Sequence, residues 1–135
     1  MATLKGRPTA VASKSRRPLT GTSVLIVEDE PLIALDIHAA LSAVGASIIA
    51  ATKGAEALQL IRIAEIAVAV LDINLGDVDC SALCRALARS KIPFLFYTGH
   101  PNAEILKQWP EATVLIKPAH TGVIVECVAA LVGAR

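Results

Sequence analysis

From residue 21 onward the sequence alternates five short, wholly apolar runs with stretches of helical spacing, and that alternation leaves few folds open. The runs are SVLIV (23–27), ASIIAA (46–51), IAVAVL (66–71), FLFY (94–97) and TVLI (113–116). Each is apolar throughout, with no polar residue at every second position, which is the pattern of a strand covered on both faces. Between the first two runs Pro31 suits a first helical position, and Ile33, Ile37, Leu41 and Val44 recur at spacings of three and four before Gly45. A second helix is expected over 55–64, with Leu58 and Ile61 inward and Glu56, Gln59 and Arg62 outward. A third opens at Asp79, a suitable N-cap, and turns Leu83 and Leu87 inward. The fourth, after Pro101 and Asn102, is short and weak, and the last, over 121–132, is strongly apolar through Val123, Ile124, Cys127, Val128 and Leu131.

Five strands alternating with helices of this size imply right-handed crossovers. The expected fold is therefore α/β, a doubly wound (βα)5 domain with a five-stranded parallel sheet and helices on both faces. Hydrophobic residues make up 54% of the chain and aromatics only 3%, so the core must be built from Ala, Val, Ile and Leu, which suits that architecture. The 135 residues suit one domain. Residues 1–20 carry Lys5, Arg7, Lys14, Arg16 and Arg17 and no acid, and are rich in Ser, Thr and Pro. They are expected to be a basic disordered tail ahead of a folded domain at 21–135. The remaining residues hold eight basic and twelve acidic side chains.

No apolar run approaches the roughly 20 residues that cross a bilayer, and the basic N-terminus lacks the apolar segment of a signal peptide. A cytoplasmic protein without membrane insertion is expected. Cys80, Cys84 and Cys127 are neither a disulfide framework nor a zinc site, and Cys80 and Cys84 lie one helical turn apart as small core side chains. Five basic residues without aromatic neighbours are weak evidence for contact with nucleic acid, an acidic partner or a membrane surface. A solubilising extension is the favoured reading, and no direct nucleic-acid contact is expected.

In an open sheet of this kind the functional crevice lies beyond the carboxyl ends of the strands. The first run ends in Glu28, Asp29 and Glu30, the third in Asp72, the fourth in Thr98, and the fifth in Lys117 followed by Pro118. Carboxylates gathered at one rim repel one another, and a hard divalent cation removes the conflict. Mg²⁺ takes oxygen ligands and keeps several waters, so one or two carboxylates and a phosphate suffice to hold it. A lysine supplies a point charge for phosphoryl oxygens, and a threonine hydroxyl can donate to one. Phosphoryl transfer needs mainly positioning and neutralisation, so Asp72 as nucleophile with Mg²⁺, Lys117 and Thr98 around it forms a coherent set. Glu30 is better explained as an acid favoured at a helix N-terminus.

At these residues the chain resembles the receiver (CheY-like) domains of bacterial two-component response regulators. The motifs VLIVEDEP, VLDINLGD, FYTGH and LIKP stand in the order of that family, and the likeness runs from residue 22 to about 133. The resemblance implies a flavodoxin-like sheet of strand order 2-1-3-4-5. It implies that Asp72 accepts a phosphoryl group from a sensor histidine kinase or phosphotransfer protein, with Thr98 and Lys117 contacting that group. It assigns Mg²⁺ to Glu28, Asp29, Asp72 and the backbone carbonyl of Asn74, and makes the Lys117–Pro118 bond cis. FYTGHP also looks like the FAT GUY subgroup of receivers, with Tyr97 in place of an alanine. Val114 stands where many receivers have an aromatic, three residues before the lysine, and Cys80 where a glycine usually follows Asp79. Asn74 and His100, two residues after Asp72 and Thr98, are placed to admit or block an attacking water.

The expected role is a stand-alone receiver that catalyses only its own phosphorylation and dephosphorylation. It would signal by a phosphorylation-dependent contact of the fourth helix, fifth strand and fifth helix with a downstream protein or a second copy. Two alternatives remain open on the sequence: a non-phosphorylated pseudo-receiver, and an aspartyl-phosphate phosphatase, whose nucleophile strand normally has a second Asp where Asn74 stands.

Overall fold

The alternation of apolar runs and helical stretches closes into one parallel sheet in a computed structural model, which describes residues 17–133. Strands β1 (Ser23–Val27), β2 (Ser47–Ala51), β3 (Val68–Leu71), β4 (Phe94–Thr98) and β5 (Thr113–Ile116) are followed in turn by helices α1 (Pro31–Ala43), α2 (Gly54–Ile63), α3 (Cys80–Arg89), α4 (Glu104–Gln108) and α5 (Thr121–Gly133). The sheet order is β2-β1-β3-β4-β5 and every pair is parallel. The expected (βα)5 fold and strand order are thus observed.

The uniformly apolar strands carry a core on each face. On one side Ala57 and Ile61 of α2, Leu83, Cys84 and Leu87 of α3 and Ile105 of α4 pack on Leu25, Leu71 and Phe96. On the other, Ile37 and Leu41 of α1 and Ile124 and Val128 of α5 pack on Ile26, Val70, Leu95 and Tyr97. Strands β1, β3 and β4 are covered most completely, whereas β5 at the edge is half-exposed. Of the apolar residues of α5, Val123 remains 43% exposed and only Ile124 and Val128 are buried.

The expected basic tail falls mostly outside the described residues, but its last part does not. Arg17–Thr20 form a turn, in which the Leu19 N–H donates to the Val44 carbonyl at 3.0 Å and the Leu19 side chain is 1% exposed in the α1–α5 core. The folded domain therefore begins before residue 21, because Leu19 closes the bottom of that core. Its turn lies against Gly45, whose φ of +103° and contact with Thr20 leave no room for a side chain.

Candidate phosphoryl-acceptor site

Two loop anchorages set the rim of the sheet. The Glu28 N–H still donates to Ala51 O, and the Asp72 N–H to Val27 O, so the first acid after β1 and the one after β3 are held by the ladder itself. Pro31 then starts α1 with its fixed φ, leaving Asp29 and Glu30 on a tight corner. Asp79 caps α3 by accepting from the Ser81 N–H at 2.9 Å, as the sequence suggests. The Lys117 N–H donates to Thr98 O at 2.8 Å, which ties the end of β5 to the end of β4, and the Lys117–Pro118 bond is cis, as expected.

These anchorages bring the side chains together. Carboxylate oxygens of Glu28, Asp29 and Asp72 lie within 4.8 Å of one another. Glu28 and Asp72 are buried and Asp29 is exposed. Lys117 Nζ stands 2.8 Å from Glu28 Oε1, 3.5 Å from Asp72 Oδ2 and 3.6 Å from Glu30 Oε1. Glu28 is thus the nearest partner of the amine, a pairing the sequence reading did not include. The second Glu28 oxygen accepts from the Glu30 N–H at 3.2 Å. Glu30, regarded in the sequence as a helix-terminal acid, takes part in the lysine network as well.

The electrostatics follow from this crowding. Burial pushes the Glu28 carboxyl above its usual range, and the neighbouring Asp72 charge adds to the rise, while hydrogen bonds from Lys117 and the Glu30 amide oppose it. Burial works against the Lys117 ammonium, but the hydrogen bond to Glu28 and the charges of Asp72, Glu28 and Glu30 more than offset it, so its pKa is raised. One lysine among four acids leaves a net negative pocket of hard oxygen donors. That donor set, all carboxylate oxygens, fits Mg²⁺ rather than a soft metal.

Thr98 is fully buried, and its hydroxyl accepts from the His100 N–H at 2.9 Å. Asn74 is exposed beside Asp72, and its N–H reaches Asp72 Oδ1 at 3.4 Å. The Asn74 side chain donates from Nδ2 to His100 Nε2 at 2.7 Å, so the two residues bridge the rim beside Asp72. His38 and His120 are exposed, and His120 Nδ1 accepts from the Gly122 N–H. Cys80 and Cys84 are buried, and the Cys80 thiol donates to Asp72 O at 3.9 Å. Sequence reasoning also missed Asp77. Its carboxylate accepts from the Gly54 and Ala55 N–H groups at 2.9 and 3.1 Å and caps α2, whose own preceding residue, Lys53, provides no cap.

Comparison with known proteins agrees with this geometry. The family model for the response regulator receiver domain matches residues 24–129. The chain is 30% identical over 112 residues to the phyllosphere-induced regulator PhyR of Methylorubrum extorquens, covering 77% of this chain and 42% of PhyR. It is 32% identical over 93 residues to the sensor protein TorS of Escherichia coli, covering 67% of this chain and 10% of TorS. The chain therefore spans less than half the length of either relative. A CheY-like receiver domain protein from Methanospirillum hungatei has the same fold, with a TM-score of 0.76 at 22% identity over 84% of this chain and 94% of that one.

Proposed function

The chain belongs to the response regulator receiver domain family, and from that premise we propose that Asp72 is the phosphoacceptor of a two-component signalling pathway. Receivers are signalling domains, and family membership does not favour the phosphatase alternative. The observation that carries the proposal is the meeting of Asp72, Lys117 and the Glu28–Asp29 pair, from three separate loops, at one rim.

In this reading an Asp72 carboxylate oxygen attacks the phosphorus of a phosphohistidine on a sensor kinase or phosphotransfer protein. A P–O bond forms, the P–N bond breaks, and its electron pair leaves on the imidazole nitrogen. Lys117 neutralises phosphoryl oxygen charge, and Thr98 turns its hydroxyl from the His100 amide towards the same group. Glu28, Asp29, Asp72 and the Asn74 carbonyl would hold Mg²⁺. When bound, the ion supplies positive charge that screens the acids from the incoming phosphoryl oxygens. The Asn74–His100 bridge governs the approach of the water that later attacks phosphorus, releasing inorganic phosphate and restoring the carboxylate. We assign output to the face of α4, β5 and α5, where Ile116 and Val123 are 45% and 43% exposed, towards a downstream protein or a second copy.

We place the domain in the cytoplasm, and no helix among the described residues is long and apolar enough to cross a membrane. Incubation with Mg²⁺ and acetyl phosphate, followed by intact-mass measurement, tests the proposal. The expected result is one added phosphoryl group, absent without Mg²⁺ and absent in Asp72→Asn. An adduct that persists in Asp72→Asn contradicts it, and no adduct in the native chain favours a pseudo-receiver.

A further inference from the structure

Lys117 has three carboxylates within 4.0 Å and a flexible stem, so its charge alone does not fix where Nζ sits. A side chain that binds the lysine's own segment would do so, and Tyr97 meets that segment at three points. Its backbone pairs with Leu115 in the β4–β5 register. Its ring lies under Lys117, with Nζ 5.6 Å from the centroid, within the range of about 6 Å over which a cation is attracted to an aromatic face. Its hydroxyl accepts from the Ala119 N–H at 3.0 Å. One residue thus holds positions 115, 117 and 119 and bridges the Lys117–Pro118 bond from beneath.

Tyr97 is well suited to act as a fixed post. It is 6% exposed and packed in the α1–α5 core with Ile37, Leu95 and Ile124. Its ring lines a cavity of about 190 Å³ between α1 and the start of α5, which Lys117 and Ala119 also line. Tyr97 and Ala119 both line this cavity, and the hydrogen bond from the Ala119 amide to the Tyr97 hydroxyl joins them there. Val114, three residues before the lysine, packs on the opposite core and does nothing comparable.

From this geometry we infer that Tyr97 is a positioning residue for Lys117, holding its amine at the acceptor through the ring and its backbone through the hydroxyl. The catalytic consequence rests on the proposed function; the positioning itself does not. Tyr97→Phe removes the hydroxyl and keeps the ring, whereas Tyr97→Leu removes both. In the unphosphorylated protein, NMR is expected to show the Lys117 ε-protons shifted upfield of the other lysines by the ring. That shift survives in Tyr97→Phe and is lost in Tyr97→Leu. The Ala119 amide exchanges with solvent about tenfold faster in both, the effect of one lost hydrogen bond on local opening.

Phosphorylation by acetyl phosphate should slow by about threefold in Tyr97→Phe and tenfold or more in Tyr97→Leu, since small misplacement of a catalytic group is costly. In a Lys117→Ala background neither change should slow it further, which a loss of general stability would not reproduce. Unchanged Ala119 exchange in Tyr97→Phe, or an unshifted Lys117, overturns the inference. So does equal slowing with and without Lys117. Should the native chain take up no phosphoryl group, the proposed function fails and the NMR result still decides whether Tyr97 positions the lysine.

Discussion

The two loops that flank Asp72 are fastened by different chemistry. Residues 73–79 are held at their far end by carboxylates on helix N-termini, Asp77 on α2 and Asp79 on α3. Residues 117–120 are held by a neutral phenol and by a lysine set among acids. The first fastening uses carboxylates that take no part in the Lys117 ion pairs. The second uses the charges around Asp72 themselves, so a change of charge at Asp72 acts on the β5–α5 loop through Lys117. In the β3–α3 loop it meets Asn74, whose N–H lies 3.4 Å from Asp72 Oδ1, and leaves the Asp77–Asp79 end fastened. A rim built this way has one firm side and one responsive side.

Substitutions can break that contrast, beginning with the largest effect. Lys117→Met leaves Glu28 and Asp72 uncompensated in a buried place and should lower unfolding stability by about 2 kcal/mol, read from urea denaturation. Adding Glu28→Gln should recover part of the loss, because one of the opposed charges is then gone. If the single change is neutral, the lysine is not an electrostatic keystone of the responsive side.

On the firm side the loop crosses α2 so closely that a Cβ at Gly54 would collide with Val78 Cγ2. Gly54→Ala should therefore cost about 1 kcal/mol or more as the loop is pushed away, against the slight gain expected for alanine in an open helix. A stabilised variant would show that the loop is not clamped there.

Asp77→Asn comes next. Hydrogen bonds from the Ala55 and Gly54 amides hold the Asp77 carboxyl below its ordinary pKa of 3.8. A depressed pKa means that the native state binds fewer protons than the unfolded chain, so the contribution is complete above 3.8 and fades as the pH falls through the lowered value. Urea curves should show Asp77→Asn less stable at pH 7 and converging with the native protein in strong acid. A gap independent of pH contradicts the carboxylate clamp.

The smallest effect on stability belongs to His100→Ala, which removes an exposed partner of Asn74. Its mark should be kinetic, with the lifetime of the phosphoryl group on Asp72 changing by about threefold while the melting temperature stays within about 1 °C. An unaltered lifetime would remove the bridge from the mechanism.

Elements whose signal is local were legible in the sequence. The bounds of β1 and β5, Pro31 at the start of α1 and the Asp79 cap depend on neighbours within a turn or a strand, and each was found where its residues pointed. Glu28 and Asp29 were legible as rim acids because they directly follow a buried apolar run, whereas Glu30 looked like a helix-terminal acid and its place beside Lys117 was not legible. Contacts between distant segments were not. Leu19 is a lone apolar residue among Arg, Pro and Thr and carries no periodicity, although it completes a core. Asp77 caps a helix 22 and 23 residues before it, and no N-cap rule looks that far. Tyr97 looked like one more apolar strand residue, and only its tertiary partner, Ala119, gives the hydroxyl a purpose. The same holds for Lys117, whose position in the sequence says that it reaches the rim but not that Glu28 is its nearest acid.

The central claim is that the rim gathers a cation, a transferable phosphoryl group and Lys117 around Asp72. A crystal structure with Mg²⁺ and beryllofluoride, a mimic of the phosphoryl group, tests it most directly. The account predicts the mimic on an Asp72 oxygen, the cation touching Asp29 and Asp72, and Lys117 Nζ moved from Glu28 onto a fluorine. A cation site that excludes Asp29 and Asp72, with Lys117 still on Glu28, would contradict it.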